Sequence, residues 1–190
     1  MRRILRESSI LPQSGAGIIT HRPDVMWGID STKIKTSCDG PAFIQFAVDH
    51  CTGECLAIGV TQEVTTGSWH SVFHTAIRSV RSELVPACMA GLTVRHDNLP
   101  LFRSRKFRAP LRALGVRFSR SPILAPWMNG CAERFVRTLK ENLLAIQSFG
   151  DLSDLRHALK AFQDVYNREW LLERAGYRSP AEVRANFVPA

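Results

Sequence analysis

The order of the predicted strands and helices indicates an α/β or α+β fold, in which a mixed sheet of five strands is flanked by helices. Three strand-like segments come first along the chain, and two further short strands then alternate with helical segments. The chain has 190 residues, of which 45% are hydrophobic, so it can bury a core of its own. These observations predict one domain with an additional helical segment.

Runs of apolar and β-branched residues bounded by turn residues predict the first three strands. They cover residues 26–32, 42–49 and 55–62. The segment 50–54, which contains a glycine, is long enough for a hairpin turn between the last two of them. We therefore expect these three strands to form an antiparallel meander.

Residues 66–83 are predicted to form the first helix, because their apolar side chains recur at helical spacing. Residues 91–96 predict a short buried strand that carries Asp97 at its C-terminal end. A basic helix is predicted at residues 104–114, although Pro110 costs about 3 kcal/mol inside a helix unless it kinks or splits the segment. The fifth predicted strand covers residues 116–120.

Two prolines and a glycine within residues 121–130 predict a loop, which leads into a helix that carries Glu133. Another helix is predicted at residues 152–170, with Asp151 or Ser153 as its N-cap. Ser179 followed directly by proline is typical of the start of a last helix. The chain is thus divided into a polar, turn-rich linker (residues 1–24), a core with all five strands (25–150) and a C-terminal helical extension (151–190).

The net charge of the chain is +8 and its isoelectric point is near 9.8. Lys and Arg side chains gain affinity by releasing counterions from phosphates, so this charge favours a polyanionic partner. Basic proteins also bind membrane surfaces, so the charge alone does not distinguish a nucleic-acid partner from a membrane. No stretch of the chain approaches the roughly 20 apolar residues of a membrane-spanning helix, and we expect a cytoplasmic protein with no membrane partner.

Three acidic residues lie where a fold could gather them into one site. Asp30 follows an apolar strand-like run, Asp97 follows a predicted strand, and Glu133 opens a predicted amphipathic helix. Two Mg²⁺ ions about 3.5 to 4 Å apart need shared oxygen ligands, so the three acids together predict a site for metal-dependent phosphoryl transfer. Each acid alone is equally typical of a solvated surface. Asp49 is the alternative to Asp30, but its place before a turn favours hairpin hydrogen bonding.

Cationic residues accompany these acids along the chain. Glu133, Arg137 and Lys140 are spaced at i, i+4 and i+7, so they lie along one face of the predicted helix. The two cations could bind the phosphates of a substrate, or Arg137 could form only a weak surface ion pair with Glu133. A second basic stretch, residues 103–120, includes Arg105 and Lys106 and contains no acid.

At these residues the chain resembles the catalytic core of retroviral-integrase-like insertion-sequence transposases, the acidic-triad group. The matching segments are Trp27-Gly28-Ile29-Asp30-Ser31-Thr32, His96-Asp97-Asn98, Ser121-Pro122, Pro126, Asn129-Gly130, Glu133-Arg134-Phe135, Thr138-Leu139-Lys140, Tyr166-Asn167 and Ser179-Pro180-Ala181-Glu182. The resemblance covers residues 25–187. It implies a ribonuclease H-like fold, dependence on Mg²⁺ or Mn²⁺, and a catalytic and metal-binding triad of Asp30, Asp97 and Glu133.

The activity that the resemblance implies is DNA cleavage and strand transfer during transposition, performed by a metal-dependent polynucleotidyl transferase. The implied partners are the ends of the mobile element and a target DNA, bound by a homo-oligomer in a synaptic complex that is associated with the nucleoid. The candidate DNA-binding residues are then Arg137, Lys140, Asn129, Arg105 and Lys106.

Two features depart from the usual pattern of the group. Leu99 stands where the group usually has a glycine, and a positive φ at that position would strain a leucine. The group also usually carries an N-terminal helix-turn-helix region, of which residues 2–11 resemble only the end. We therefore expect residues 1–24 to be a linker or the remnant of such a DNA-binding region. A catalytically inactive DNA-binding or oligomerising remnant, and a ribonuclease H-type nuclease, stay open as alternatives.

Overall fold

A mixed sheet with the strand order β3-β2-β1-β4-β5 forms the centre of the protein. The computed structural model describes residues 20–120 and 129–187. The strands are β1 (Met26–Thr36), β2 (Gly40–Asp49), β3 (Cys55–Thr61), β4 (Thr93–His96) and β5 (Arg117–Arg120). Strands β1 to β3 pair antiparallel, and β4 pairs in parallel with both β1 and β5. The predicted meander and the predicted five-stranded mixed sheet are confirmed.

Helices cover both faces of this sheet. They are α1 (Thr66–Val80), α2 (Arg105–Ala113), α3 (Gly130–Leu139), α4 (Leu152–Glu169) and α5 (Pro180–Ala185). A π-helical segment, Lys140–Leu144, extends α3, and 3-10 turns lie at Pro100–Arg103 and Glu173–Ala175. The predicted loop at residues 121–130 lies mostly outside the described residues, as does the predicted linker up to residue 19.

Local sequence signals set the ends of these helices. Asp151, and not Ser153, is the N-cap of α4, because its side chain accepts from the backbone N–H of Asp154 at 2.8 Å. Ser179 caps α5 in a capping box with Glu182, as the sequence predicts. Helix α2 runs unbroken through Pro110, because buried side chains on both sides of the proline hold the helix against the sheet.

Side chains alternate between the two faces of β1 and thereby separate two hydrophobic clusters. Trp27 and Ile29 pack with residues of α1 and α2 on one face. On the other face Phe46 and other β2 side chains pack with α3 and α4. Asp30 pairs with Phe46 in the β1–β2 ladder, so its side chain points towards the α3 face of the sheet.

The C-terminal helices are tied to the sheet by polar contacts. On α4, Asn167 donates to the carbonyl of Cys55 at 2.9 Å and accepts from its N–H at 2.9 Å. Gln163 also donates to this carbonyl, at 2.7 Å. These bonds join α4 to the start of β3. The division into a core and a C-terminal extension at residue 150 stays a prediction. Within residues 20–120 and 129–187, no helix has the length and apolar character needed to cross a membrane.

Candidate active site

Asp30 lies within β1 and not at its end, because the strand continues to Thr36 through pairing with β2. Its carboxylate is half-buried, and its Oδ1 accepts from the backbone N–H of Ser31 at 2.8 Å. Burial raises the pKa of Asp30 to about 6, and the negative charges of Asp97 and Glu133 add to this rise. The three predicted acids are therefore close enough to interact electrostatically on the α3 face of the sheet.

Asp97 follows β4 in a tight turn that fixes its carboxylate. Its Oδ1 accepts from the backbone N–H of Leu99 at 3.0 Å. Leu99 has φ −57° and ψ 130°, which any residue adopts. A leucine at this position is thus unstrained, and the turn holds Asp97 without the glycine usual in the resembling group.

Glu133 lies in the first turn of α3, which packs directly on β1 at Gly28. A Cβ atom on Gly28 would lie 2.7 Å from Oδ1 of Asn129, 3.0 Å from Nε2 of His50 and 3.3 Å from Cβ of Ala132. Only glycine leaves room for these groups. The absence of a side chain at position 28 therefore lets the start of α3 approach the strand that carries Asp30.

We expect Gly28→Ala to lower the free energy of unfolding by about 1 to 3 kcal/mol, because the added methyl group overpacks a buried contact. Urea denaturation measures this change. Gly67→Ala is the matched control, since Gly67 is exposed near the start of α1 and its Cβ would meet nothing closer than 3.7 Å. The control should be neutral or stabilising. A Gly28→Ala protein as stable as the wild type would contradict the close approach.

The acids are near one another but do not form a closed metal-binding cluster. In the part of the chain that the structure describes, no three His, Cys, Asp or Glu side chains are gathered tightly enough to hold a metal ion. Their chemistry nevertheless fits a hard divalent cation, which prefers carboxylate oxygens. The raised pKa of Asp30 also fits a bound cation, because burial and two neighbouring negative charges destabilise its ionised carboxylate.

Asp49, the alternative to Asp30, belongs to a different environment. It pairs with Trp27 in the β1–β2 ladder and so lies on the opposite side of the sheet from Asp30. The side chain is fully buried and accepts from the backbone N–H and hydroxyl of Thr52 and from the backbone N–H of Asp24. These are the hairpin hydrogen bonds that the sequence predicts, so Asp49 stabilises the turn after β2.

The candidate DNA-binding residues fall into separate places. Arg137 is exposed on α3, and Lys140 is exposed at the start of the π-helical segment that extends α3. The charge of Lys140 lowers the pKa of Asp30, so this residue lies near the acids. Arg105 and Lys106 are exposed on α2, which packs on the opposite face of the sheet. Asn129 is only 6% exposed and donates to the carbonyl of Ile29 at 3.5 Å. Its direct contact with DNA stays a prediction.

The sequence analysis missed a buried arginine two residues before Asp97. Arg95 pairs with Gly28 across β1 and β4 and is 5% exposed. Its Nη2 donates to the hydroxyl of Ser119 at 2.8 Å, whereas its Nε and Nη1 have no hydrogen-bond partner within residues 20–120 and 129–187. Burial and the charge of Arg95 lower the pKa of His50 to about 4, so His50 is neutral at pH 7. The i, i+2 spacing of Arg95 and Asp97 was the available signal.

Comparisons with known proteins identify relatives of this chain. A family model described as "Integrase core domain" matches residues 114–180. The putative transposase InsD for insertion element IS2E of Escherichia coli K12 is 32% identical over an alignment of 147 residues, which covers 73% of this chain and 63% of that protein. The chain spans 63% of the length of this relative and 8% of the length of the matched Gag-Pol polyprotein of baboon endogenous virus.

Solved structures share the fold. A chain of the simian T-cell lymphotropic virus intasome in complex with PP2A regulatory subunit B56 gamma has a TM-score of 0.71 and 20% identity, covering 94% of this chain and 61% of its own. The HTLV-2 integrase catalytic core domain in complex with magnesium has a TM-score of 0.62 and 18% identity, covering 86% and 98%. Integrase catalytic cores have a ribonuclease H-like fold, so this part of the expectation is confirmed.

The chain is therefore similar to insertion-sequence transposases and retroviral integrases, and residues 114–180 match the integrase core domain model.

Proposed function

We propose that this chain is the catalytic core of a transposase that cuts DNA strands and joins them to a target, with Mg²⁺ or Mn²⁺ as its cofactor. The observation that carries the proposal is the electrostatic coupling of Asp97 and Glu133 to Asp30 on one face of an integrase-like sheet. The transposase relative and the integrase core domain model support the same activity.

Asp30, Asp97 and Glu133 would hold the divalent ion. When bound, such an ion supplies the positive charge that activates the attacking oxygen and stabilises the leaving oxygen in an in-line displacement. The backbone N–H groups of Ser31 and Leu99 keep the carboxylates of Asp30 and Asp97 in place. Partial burial of Asp30 lowers the local dielectric constant and so strengthens the electrostatic interactions of the site.

Arg137 and Lys140 would bind the phosphates of the strand that is cut, since they are exposed on the helix that carries Glu133. Arg105 and Lys106 would contact a second DNA segment, because α2 packs on the other face of the sheet. Two separated basic surfaces fit a reaction that joins element ends to a target DNA. The related intasome and the trimeric HTLV-2 core are assemblies, which supports a homo-oligomer for this chain.

The decisive test is strand cleavage and joining on DNA that carries the ends flanking the gene. We expect nicking and strand transfer with Mg²⁺ or Mn²⁺, none with EDTA, and none from Asp97→Asn or Glu133→Gln proteins that fold normally. Binding that falls steeply with salt and is never followed by cleavage would support the inactive remnant instead. Degradation of an RNA:DNA hybrid with duplex DNA left intact would support a ribonuclease H-type nuclease.

Asp49→Asn should keep most of the cleavage activity and lose stability. An asparagine offers one acceptor oxygen in place of two, so one of the bonds from Thr52 or Asp24 is lost, at a cost of about 1 to 3 kcal/mol. Urea denaturation and the cleavage assay measure the two effects on the same preparation. Greater loss of activity in Asp49→Asn than in Asp30→Asn would show that the triad contains the wrong aspartate.

A further inference from the structure

A cavity of about 360 Å³ lies between α3 and the segment that follows α4. Its lining includes Gly53, Arg134, Arg137, Tyr166, Trp170 and Arg174. This volume is within the range of small-molecule sites in proteins. Residues of three separate parts of the chain therefore form one concave site beside the helix that carries Glu133.

The charge of this cavity is strongly positive. Three arginines line it, and none of them forms an ion pair among the described residues. Glu173 is the acidic residue of the lining, and it is exposed. Arginines without carboxylate partners around one cavity indicate an anionic ligand, because the guanidinium group matches phosphate oxygens in a bidentate geometry.

Backbone carbonyl groups hold the side chain of Arg174 in position. Its Nη1 donates to the carbonyls of His50 and Cys51, each at 3.3 Å. Gly53 makes this possible, since its φ is +78° and a Cβ there would lie 2.7 Å from Nη2 of Arg174. Carbonyl oxygens orient the guanidinium but do not neutralise it. The arginine is thus preorganised for an anion.

An aromatic pair forms another part of the cavity lining. Tyr166 and Trp170 stack with ring centroids 6.4 Å apart, and the hydroxyl of Tyr166 donates to the carbonyl of Gly53 at 3.1 Å. Trp170 is half-buried, so part of its indole reaches the surface. Aromatic side chains next to arginines are the elements with which proteins bind unpaired bases and their phosphates.

The cavity lies close to the proposed catalytic site. Arg137 lines it and is also one helical turn from Glu133, a rise of about 6 Å along α3. That rise is similar to roughly two nucleotide steps of 3.4 Å along one strand of B-form DNA. A strand that passes Glu133 can therefore place a neighbouring nucleotide at the cavity.

We propose that this cavity binds one unpaired nucleotide of the DNA substrate next to the strand that is cut, with its phosphate against Arg134 and Arg174 and its base against Trp170. The proposal rests on the proposed function and specifies its substrate, namely DNA with a single-stranded end. The cavity then selects a frayed or overhanging end over a blunt duplex.

The test compares two fluorescent duplexes of the same sequence, one blunt and one with a short single-stranded thymidine end, by anisotropy without divalent ions. We expect the wild-type chain to bind the overhanging duplex about tenfold more tightly. Trp170→Leu should remove this preference and keep the affinity for the blunt duplex, and Trp170→Phe should retain the preference. Arg174→Gln, a change at an exposed side chain, should also reduce the preference.

Arg156→Gln is the matched charge control, because Arg156 is exposed on α4 and does not line the cavity. It should change both affinities equally and slightly. Equal binding of the two duplexes by a wild-type protein that still cleaves DNA would overturn the inference about the cavity and leave the proposed function intact. A Trp170→Leu protein that loses both affinities equally would also overturn it. A wild-type protein that neither binds nor cleaves DNA would refute the proposed function as well.

Discussion

Asp30→Asn is expected to abolish metal-dependent DNA cleavage and, at the same time, to make the metal-free protein more stable at pH 8. Activity should fall because an amide is a poor substitute for a carboxylate ligand of a hard cation. Stability should rise because the carboxylate of Asp30 is half-buried and is repelled by Asp97 and Glu133. Residues that serve a site at the expense of stability are common in enzymes.

The pH dependence of this effect follows from the direction of the pKa shift. The folded protein holds the proton of Asp30 with a pKa of about 6, against 3.8 for the unfolded chain. The group therefore favours the folded state most at low pH, and this contribution is lost as the pH rises from about 4 through 6. Above pH 7 the ionised carboxylate costs on the order of 2 kcal/mol, and the asparagine side chain of the variant cannot ionise.

Thermal unfolding in EDTA at several pH values measures this prediction. A gain of about 2 kcal/mol corresponds to a rise of roughly 4 to 8 °C in Tm for a chain of this size. The gain should shrink as the pH falls towards 4, and Mg²⁺ should raise the Tm of the wild type but not that of the variant. Asp164→Asn is the control, since among the described residues Asp164 pairs only with Lys160, at the surface. Lower stability of Asp30→Asn at pH 8 would contradict the environment assigned to Asp30.

Arg184→Met is expected to cause the largest loss of stability among surface-accessible positions, about 3 to 5 kcal/mol. Arg184 on α5 is bonded to Glu54 and lies 3.3 Å from Asp24 and 4.0 Å from Asp49. Its side chain is 20% exposed, and that of Asp49 is fully buried. Removing the arginine leaves several carboxylates in a poorly solvated place without their shared cation.

Urea denaturation of the variant measures this loss. Arg184→Lys should lose less, because it keeps the charge but not the planar fork that reaches several carboxylates. In a double-mutant cycle, Arg184→Met and Asp49→Asn should be non-additive, since each removes a partner of the other. Arg156→Met is the control at an exposed arginine of α4. A loss below about 1 kcal/mol for Arg184→Met would show that the network contributes little.

Much of the fold could be predicted because its signals are local. The apolar runs of β2 and β3, the helical spacing of Trp69, Val72 and Phe73, and the caps at Asp151 and Ser179 all operate within a few residues. The ends of a strand could not be predicted where pairing with a neighbouring strand sets them. Strand β1 extends to Thr36 because β2 continues opposite it, and this placed Asp30 inside the strand.

The candidate site, like the fold, could be predicted from the sequence only in part. The acids could be named from their positions after apolar runs and from the resemblance, and their roles as metal ligands stay predictions. The unstrained φ of Leu99 could not be inferred from the identity of the residue, because it depends on the turn in which Asp97 accepts the N–H of Leu99. Arg95 was missed because its burial depends on tertiary packing, although its i, i+2 spacing from Asp97 was a signal that it lies on the same side of the strand.

The amino-acid sequence alone determined the order of strands and helices, the basic charge and the set of acids available for a metal, because these follow from residue types and short spacings. Only the tertiary structure decided that Asp30 and Asp49 face opposite sides of the sheet, that Gly28 admits the start of α3, and that Gly53, Arg134 and Arg174 meet in one cavity. These facts depend on packing between segments far apart along the chain, and no local pattern encodes which distant side chains come into contact.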